Sequence, residues 1–244
     1  MGLFSLFSTK TSIQDSGILK DSVDRHSHVL FGVDDGIRTL EDSLSVLSYM
    51  ETLGIRELWC TPHVMEDVPN ATEALKTRFK ELESNYTGPI RLRLAAEYML
   101  DTVFEARLES RDFLTMEDGT VLVETSTIAP PYDLKGMLSE LMSAGYRPMM
   151  AHPERARFLG VEDCKKLVGQ GVALQLNIAS LTGYYGNTAR QKAESLLKQG
   201  LYSAYGSDCH REKVLKDQYS RNELTKDIIK KLVALTSSME HIED

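Results

Sequence analysis

The sequence predicts an α/β fold, a seven-stranded βα barrel. Helical apolar spacing alternates with short apolar runs along the chain, and glycine recurs between each helix and the strand after it. Strands alternating with helices imply parallel pairing through right-handed crossovers. An open doubly wound sheet accommodates both observations. A third selects the barrel: histidines and acids fall at the C-terminal ends of the strands, and a barrel gathers all those ends on one face.

The elements follow in order. Residues 1–20 are expected as a flexible N-terminal extension and residues 21–244 as a single domain. The opening MGLFSLFSTK lacks a basic start and a small-residue cleavage site, which argues against a signal peptide. Leu6 stands where a myristoylation pattern after Gly2 needs Ser or Thr. A weak membrane or partner contact through Leu3, Phe4, Leu6 and Phe7 is the alternative to a loose extension. Strands are predicted around 23–28, 57–61, 90–97, 120–124, 147–151, 172–177 and 202–207. Helices are predicted over 39–53, 71–85, 101–109, 133–144, 161–169 and 188–199, with a last amphipathic segment over 222–238. Leu44, Leu47, Met50 and Leu53 illustrate the helical spacing, and Gly54 then stops that helix.

Composition narrows the function classes. At 42% apolar and 26% charged, the chain can bury a real core. A net charge of −8 lacks the footprint of a nucleic-acid binder. Three scattered cysteines, Cys60, Cys164 and Cys209, suggest a reducing, cytoplasmic compartment rather than a disulfide framework. No apolar run approaches the ~20 residues that span a bilayer.

The strand ends carry the chemistry. They read His26-Ser27-His28, Thr61-Pro62-His63, Ala96-Glu97, Val123-Glu124, Ala151-His152-Pro153-Glu154-Arg155 and Ser207-Asp208-Cys209-His210. Only His241, of the six histidines, lies outside this set. Imidazoles with carboxylates suit Mn, Fe or Zn, and the lack of a thiolate pair argues against a structural zinc site. His26 and His28 point to one side of their strand, as does Asp24. A lone His-x-His is a weak signal, and His63 or His152 alone reads as a hydrogen-bonded strand end. Glu97 and Glu124, however, each close an apolar run, where an unpaired carboxylate is costly. The joint pattern therefore reads as a metal site. No cysteine has an arginine six positions on, and no GxSxG elbow, P-loop or GxGxxG occurs. Cys209 reads as a packing residue.

These stretches — DRHSHVLFGVDDG, TPHV, AAEYM, VLVETS, AHPERARF, SLTGYYG and GSDCH — resemble, in order and spacing, the PHP (polymerase and histidinol phosphatase) superfamily. Within it the chain resembles the bacterial metal-dependent protein-tyrosine phosphatases of capsule and exopolysaccharide systems, the CpsB/YwqE type. The resemblance spans about residues 22–212. It implies a distorted (β/α)7 TIM-like barrel holding three divalent ions, Mn first, with Fe or Zn as alternatives. It implies one ion on His26, His28, Glu97 and Asp208. A second falls to Glu97, Glu124 and His152, and a third to Asp35, His63 and His210. Asp35 is preferred to Asp34 because it immediately precedes Gly36.

The implied reaction is hydrolysis of phosphotyrosine by metal-activated hydroxide, with Asp208 and His210 in the catalytic set. Arg155 is the expected phosphate contact, against the alternative of a salt bridge to Glu154 or another nearby acid. Tyr184 and Tyr185 are candidates for stacking on a substrate ring, against plain packing. The implied partner is a tyrosine-phosphorylated protein, a membrane tyrosine autokinase, with oligomer formation left open. The rival substrates are a small phosphomonoester such as histidinol phosphate, or a nucleic-acid end. Two features depart from the family. Arg25 stands where an apolar residue is usual. A second arginine after the SDxH motif has no match, since Arg211 stands too close and Lys216 is the other type of base.

Overall fold

The structure is a computed structural model that describes residues 10–240. Its elements run β1 (Val23–Ser27), α1 (Leu40–Thr52), β2 (Glu57–Cys60), β3 (His63–Val64), α2 (Thr72–Asn85), β4 (Arg91–Leu94), β5 (Glu97–Met99), α3 (Thr102–Ser110), β6 (Thr120–Glu124), α4 (Leu134–Ser143), β7 (Arg147–Ala151), α5 (Val161–Gly169), β8 (Ala173–Asn177), a 3-10 turn (Ile178–Thr182), α6 (Asn187–Lys198), β9 (Ala204–Gly206), α7 (Glu212–Ser220) and α8 (Lys226–Glu240).

The strand predicted at 90–97 is split into β4 and β5, and the one predicted at 57–61 is followed by a separate short β3 that was not predicted. One sheet is ordered β1-β2-β4 and the other β3-β5-β6-β7-β8-β9, all parallel. The register nevertheless runs through the split: Glu57 lies opposite Arg91, and His63 opposite Glu97. The break falls at Thr61-Pro62 and Ala95-Ala96, where proline has no N–H to give the ladder. Ala95 N still donates to Cys60 O and Glu97 N to Pro62 O. On the far side, Asp208 N donates to His26 O (2.8 Å) and His28 N to Cys209 O (3.0 Å), joining β1 to the end of β9. Seven strand positions thus follow one another around a distorted ring.

The helices wrap it for the expected reason. α1 buries Val46, Leu47 and Met50 at helical spacing, each stabilising by about 1.5–3 kcal/mol. Thr39 caps it through Asp42 N. The stops at Gly54, Gly145, Gly171 and Gly200 take left-handed backbone, as their positions predict. α7 was not expected. Its sequence is mostly polar, and only Leu215, Gln218 and Tyr219 are buried.

The expected flexible extension needs correction over its described part. Ile13, Ile18 and Leu19 are buried in the same core as Leu224 and Leu232. Thr11 and Leu224 exchange backbone hydrogen bonds (3.0 and 2.9 Å). Three apolar residues without periodicity gave no strand or helix signal, yet they cover the α7–α8 face. Leu3, Phe4, Leu6 and Phe7 lie outside the described residues, as does His241. Among the described residues no helix is long and apolar enough to cross a membrane.

Candidate metal centre

The strand ends bring nine predicted residues to one mouth. Among the described residues they form four overlapping groups whose ligand atoms lie within 4.8 Å of one another. These are His26-His28-Asp208, His26-Glu97-His152, His63-Glu97-Glu124 and His28-Asp35-His63-His210. His26, His28 and Glu97 are fully buried, whereas Asp35 is 70% exposed at the rim.

Neighbouring acceptors set the histidine tautomers. His26 Nδ1 donates to Gln175 Oε1 (3.0 Å), whose amide is oriented by its own Nε2 donating to Leu176 O (2.5 Å). His28 Nδ1 donates to Asp34 Oδ2 (2.8 Å), and His210 Nδ1 to the Asp208 carbonyl (2.9 Å). Each ring therefore turns Nε2 into the centre. There, His26 Nε2 and His28 Nε2 face each other at 3.1 Å. Glu97 Oε2 lies 3.2 and 3.3 Å from them, and Asp208 Oδ1 3.5 and 3.4 Å. Glu97 Oε2 and His63 Nδ1 are buried without a hydrogen-bond partner. A nest of acceptors this tight needs positive charge inside it.

The acid–base balance says the same. Burial alone would push His26 down, but Glu97 and Asp208 outweigh it and raise it to about 9. His28 also rises against burial, through Asp208, Asp34 and Glu97. Burial opposes the charged forms of Glu97 and Asp208, yet the His26 charge beside them holds both well below the carboxylate range. His210 is lowered, by burial and by His28. Protons here occupy the place of cations, and the donor set fits divalent metal.

The two aspartates before Gly36 divide the labour. Asp35 Oδ1 faces His63 Nε2 (3.6 Å) and His210 Nε2 (3.4 Å). Asp34 instead fixes the loop, accepting from His28 Nδ1, His63 N and Gly36 N. Asp24 stays out of the centre and accepts from Ser207 N (2.9 Å) and His26 N (3.2 Å), with burial raising it to about 6. Arg25, on the opposite side of β1, is half-buried and forms no ion pair among the described residues. Its aliphatic stem can lie in the helix layer while the head reaches water.

Arg155 is placed at the mouth, but paired. Its Nη1 donates to Asp208 Oδ2 (2.6 Å), and its guanidinium lies over the Tyr185 ring (4.5 Å). Its acid partner is Asp208 and not Glu154. Glu154 is buried and accepts from Asn177 N, Ser180 Oγ and Tyr202 OH, stapling the end of β7 to β8. Tyr184 meets Tyr185 edge-on at 5.0 Å and carries Arg221 over its face at 5.1 Å. Cys209 is buried, and burial raises its thiol far from a reactive range, as a packing residue requires.

His152 (φ 33°) and Asp208 (φ 52°) take left-handed backbone without being glycine. Such residues cost about 1–3 kcal/mol and concentrate at functional sites. Sequence reading missed the residues that orient the cluster: Gln175, Asp34, and Asn177, which donates to Asp208 Oδ2 (3.0 Å) and Tyr185 OH (3.1 Å). The available signal was a glutamine in the otherwise apolar strand ALQLN. Gln175→Leu leaves His26 Nδ1–H unpaired, so metal affinity is expected to drop by about 10–100-fold. Titrating metal into chelator-treated protein measures this.

Fold and cluster define a metal-dependent βα barrel with its site at the strand C-termini. The chain belongs to the CpsB/CapC family of capsular polysaccharide synthesis, whose family model matches residues 22–233. It is 26% identical over 195 residues to CapC of Staphylococcus aureus, covering 77% of this chain and 76% of that protein. It is 27% identical over 198 residues to the tyrosine-protein phosphatase YwqE of Bacillus subtilis, covering 78% of each. A crystal structure among those of YwqE from B. subtilis and CpsB from Streptococcus pneumoniae, described as metal-dependent tyrosine phosphatases, superposes with a TM-score of 0.73. Identity there is 25%, over 88% of this chain and 91% of the other. A phosphotriesterase homology protein of Escherichia coli shares the fold at 12% identity and a TM-score of 0.51, over 92% of this chain and 95% of the other.

Proposed function

We propose that this chain is a metal-dependent protein-tyrosine phosphatase of a capsule or exopolysaccharide system, acting in the cytoplasm on a phosphorylated membrane tyrosine autokinase. One observation carries the reading. Nine ligand-type side chains enclose an acceptor-rich centre, with the Arg155 guanidinium at its edge. The activity named for the family relatives supports the substrate class.

The centre is read as holding three divalent ions, Mn first, with Fe or Zn as alternatives. His26, His28, Glu97 and Asp208 would hold one, Glu97, Glu124 and His152 a second, and Asp35, His63 and His210 a third. Divalent cations held there would supply water of lowered pKa and neutralise phosphoryl oxygens. The chain's own residues do the rest. Gln175, Asp34 and the Asp208 carbonyl keep Nε2 of His26, His28 and His210 free for ligation. Arg155 spends one N–H on Asp208 and has further donors of its planar fork for a phosphate. Asn177, bonded to both Asp208 and Tyr185, ties the carboxylate to the ring under that guanidinium. Tyr184, partly exposed beside it, offers a face for the substrate ring. The departing tyrosine has a pKa near ~10 and needs little protonation.

Excess chelator is expected to abolish hydrolysis of a phosphotyrosine peptide, and Mn to restore it. The test compares phosphotyrosine peptide, phosphoserine peptide and histidinol phosphate, with metal content measured. Full activity in chelator overturns the metal mechanism. A clear preference for histidinol phosphate transfers the site to a small phosphomonoester.

A further inference from the structure

A cavity of about 590 Å³ opens beside the metal centre, between the loop after β1 and the start of α7. It shares His210 with the centre, and Gly36, next to Asp35, lies in its wall. Arg38, Arg211, Lys213 and Lys216 line it. Only Lys216 is engaged, donating to Glu212 (2.5 Å) and lying over the Tyr49 ring (4.8 Å). Arg38, Arg211 and Lys213 are exposed and form no ion pair among the described residues.

Scattered surface lysines usually form a solvated face and little more. Here the cations surround one concavity at the mouth, in a chain whose net charge is −8. Such a concentration raises the local potential against the overall sign and draws in anionic groups. The cavity walled by Trp59, Arg93 and Glu117, by contrast, shares no residue with the metal centre.

We propose that this cleft binds the carboxylate-bearing flank of the substrate polypeptide, so that acidic residues next to the phosphotyrosine are a specificity determinant. The proposal rests on the phosphatase reading, because a phosphotyrosine seated at the mouth must lead its chain past His210 or away from it. Carboxylates suit the lining better than a second phosphate. Asp42 and Glu212 stand among the bases, and they oppose a dianion more than single charges interleaved with the lysines. Longer-range attraction of this kind weakens as salt shortens the Debye length.

The test uses two phosphotyrosine peptides, one flanked by glutamates and one by alanines, with the metal-loaded full chain. The readout is the ratio of their kcat/KM values. The wild type is expected to favour the glutamate peptide by about tenfold, mainly in KM, as three or four partly exposed pairs would give. In R38Q/K213Q that ratio is expected to fall to about two, and in the wild type it should shrink between 50 and 500 mM salt. A ratio near one in the wild type, or one unchanged in the double variant, overturns the proposal. Binding of the same peptides carrying a non-hydrolysable phosphonate separates this idea from the phosphatase reading. If neither peptide is hydrolysed but the phosphonates keep the preference, the phosphatase reading falls and the cleft stands. If hydrolysis proceeds without preference, the reverse holds.

Discussion

His63→Ala is expected to leave a folded protein whose hydrolysis of aryl phosphates falls by about a thousandfold or more. His63 is the imidazole that looks both ways across the centre. Its Nδ1 lies 3.2 Å from Glu97 and 3.1 Å from Glu124, and its Nε2 3.6 Å from Asp35. Without it the groups His63-Glu97-Glu124 and His28-Asp35-His63-His210 each lose a ligand, and the buried Glu97 and Glu124 lose a positive or metal-bearing neighbour. Removing one preorganised electrostatic partner in such a site costs about 10²–10³ in rate, and loss of a metal adds the change in water acidity it provides. The fold should survive because the ring is polar, sits at the mouth and fills no apolar layer. The backbone N–H of His63 keeps its bond to Asp34 (3.0 Å). Three measurements decide it: kcat on an aryl phosphate, metal content per chain, and melting of the metal-free proteins, which should agree within a few degrees. A variant that keeps full activity with reduced metal content would sink the ligand assignment.

The cluster was legible in sequence for a physical reason. Glu97 and Glu124 each close an apolar run, where a lone charge is costly, the histidines recur at the other strand ends, and the barrel brings those ends together. Residues that act through cross-strand register were not legible. Gln175 meets His26 from 149 positions away, and Arg155 meets Asp208 from 53. A single chain shows that Gln175 is polar in an apolar strand, but not which ring it orients. The split at Pro62 was visible as a residue and not as a break, because the hydrogen bonds of Ala95 and Glu97 carry the register across it. α7 escaped because its buried set is short and partly polar, and segment 11–20 escaped because it packs without a period. Arg155 shows the limit most clearly. Its motif puts it just past the end of β7, while its engagement with Asp208 is seen only in three-dimensional proximity.

Gly206→Ala tests that register directly, and its effect should be large on both stability and metal loading. Gly206 lies in β9, at ordinary strand dihedrals, so its need for glycine is not conformational. A Cβ built on it would stand 2.4 Å from His26 Cβ and 2.9 Å from both His26 N and Gln175 Nε2. Neither side can give way cheaply. His26 is held by Asp208 N on its carbonyl and Gln175 on its ring, while Ser207 N is anchored on Asp24 (2.9 Å). The methyl group must therefore push β1 away from β9 where backbone hydrogen bonds join the two sheets on that side. Overpacking of this kind costs about 1–3 kcal/mol, which for a domain of this length lowers the melting temperature by about 2–4 °C per kcal/mol. The displacement also moves His26 out of the nest it shares with His28, Glu97 and Asp208. Activity is expected to fall by at least about a hundredfold, since misplacement by about 1 Å carries that penalty. Adding Mn should recover little of it, because the ligand is present but out of position. Recovery to wild-type rates at high Mn would mean that the glycine at this crossing matters only for stability, and that β1 and β9 can separate without disturbing the centre.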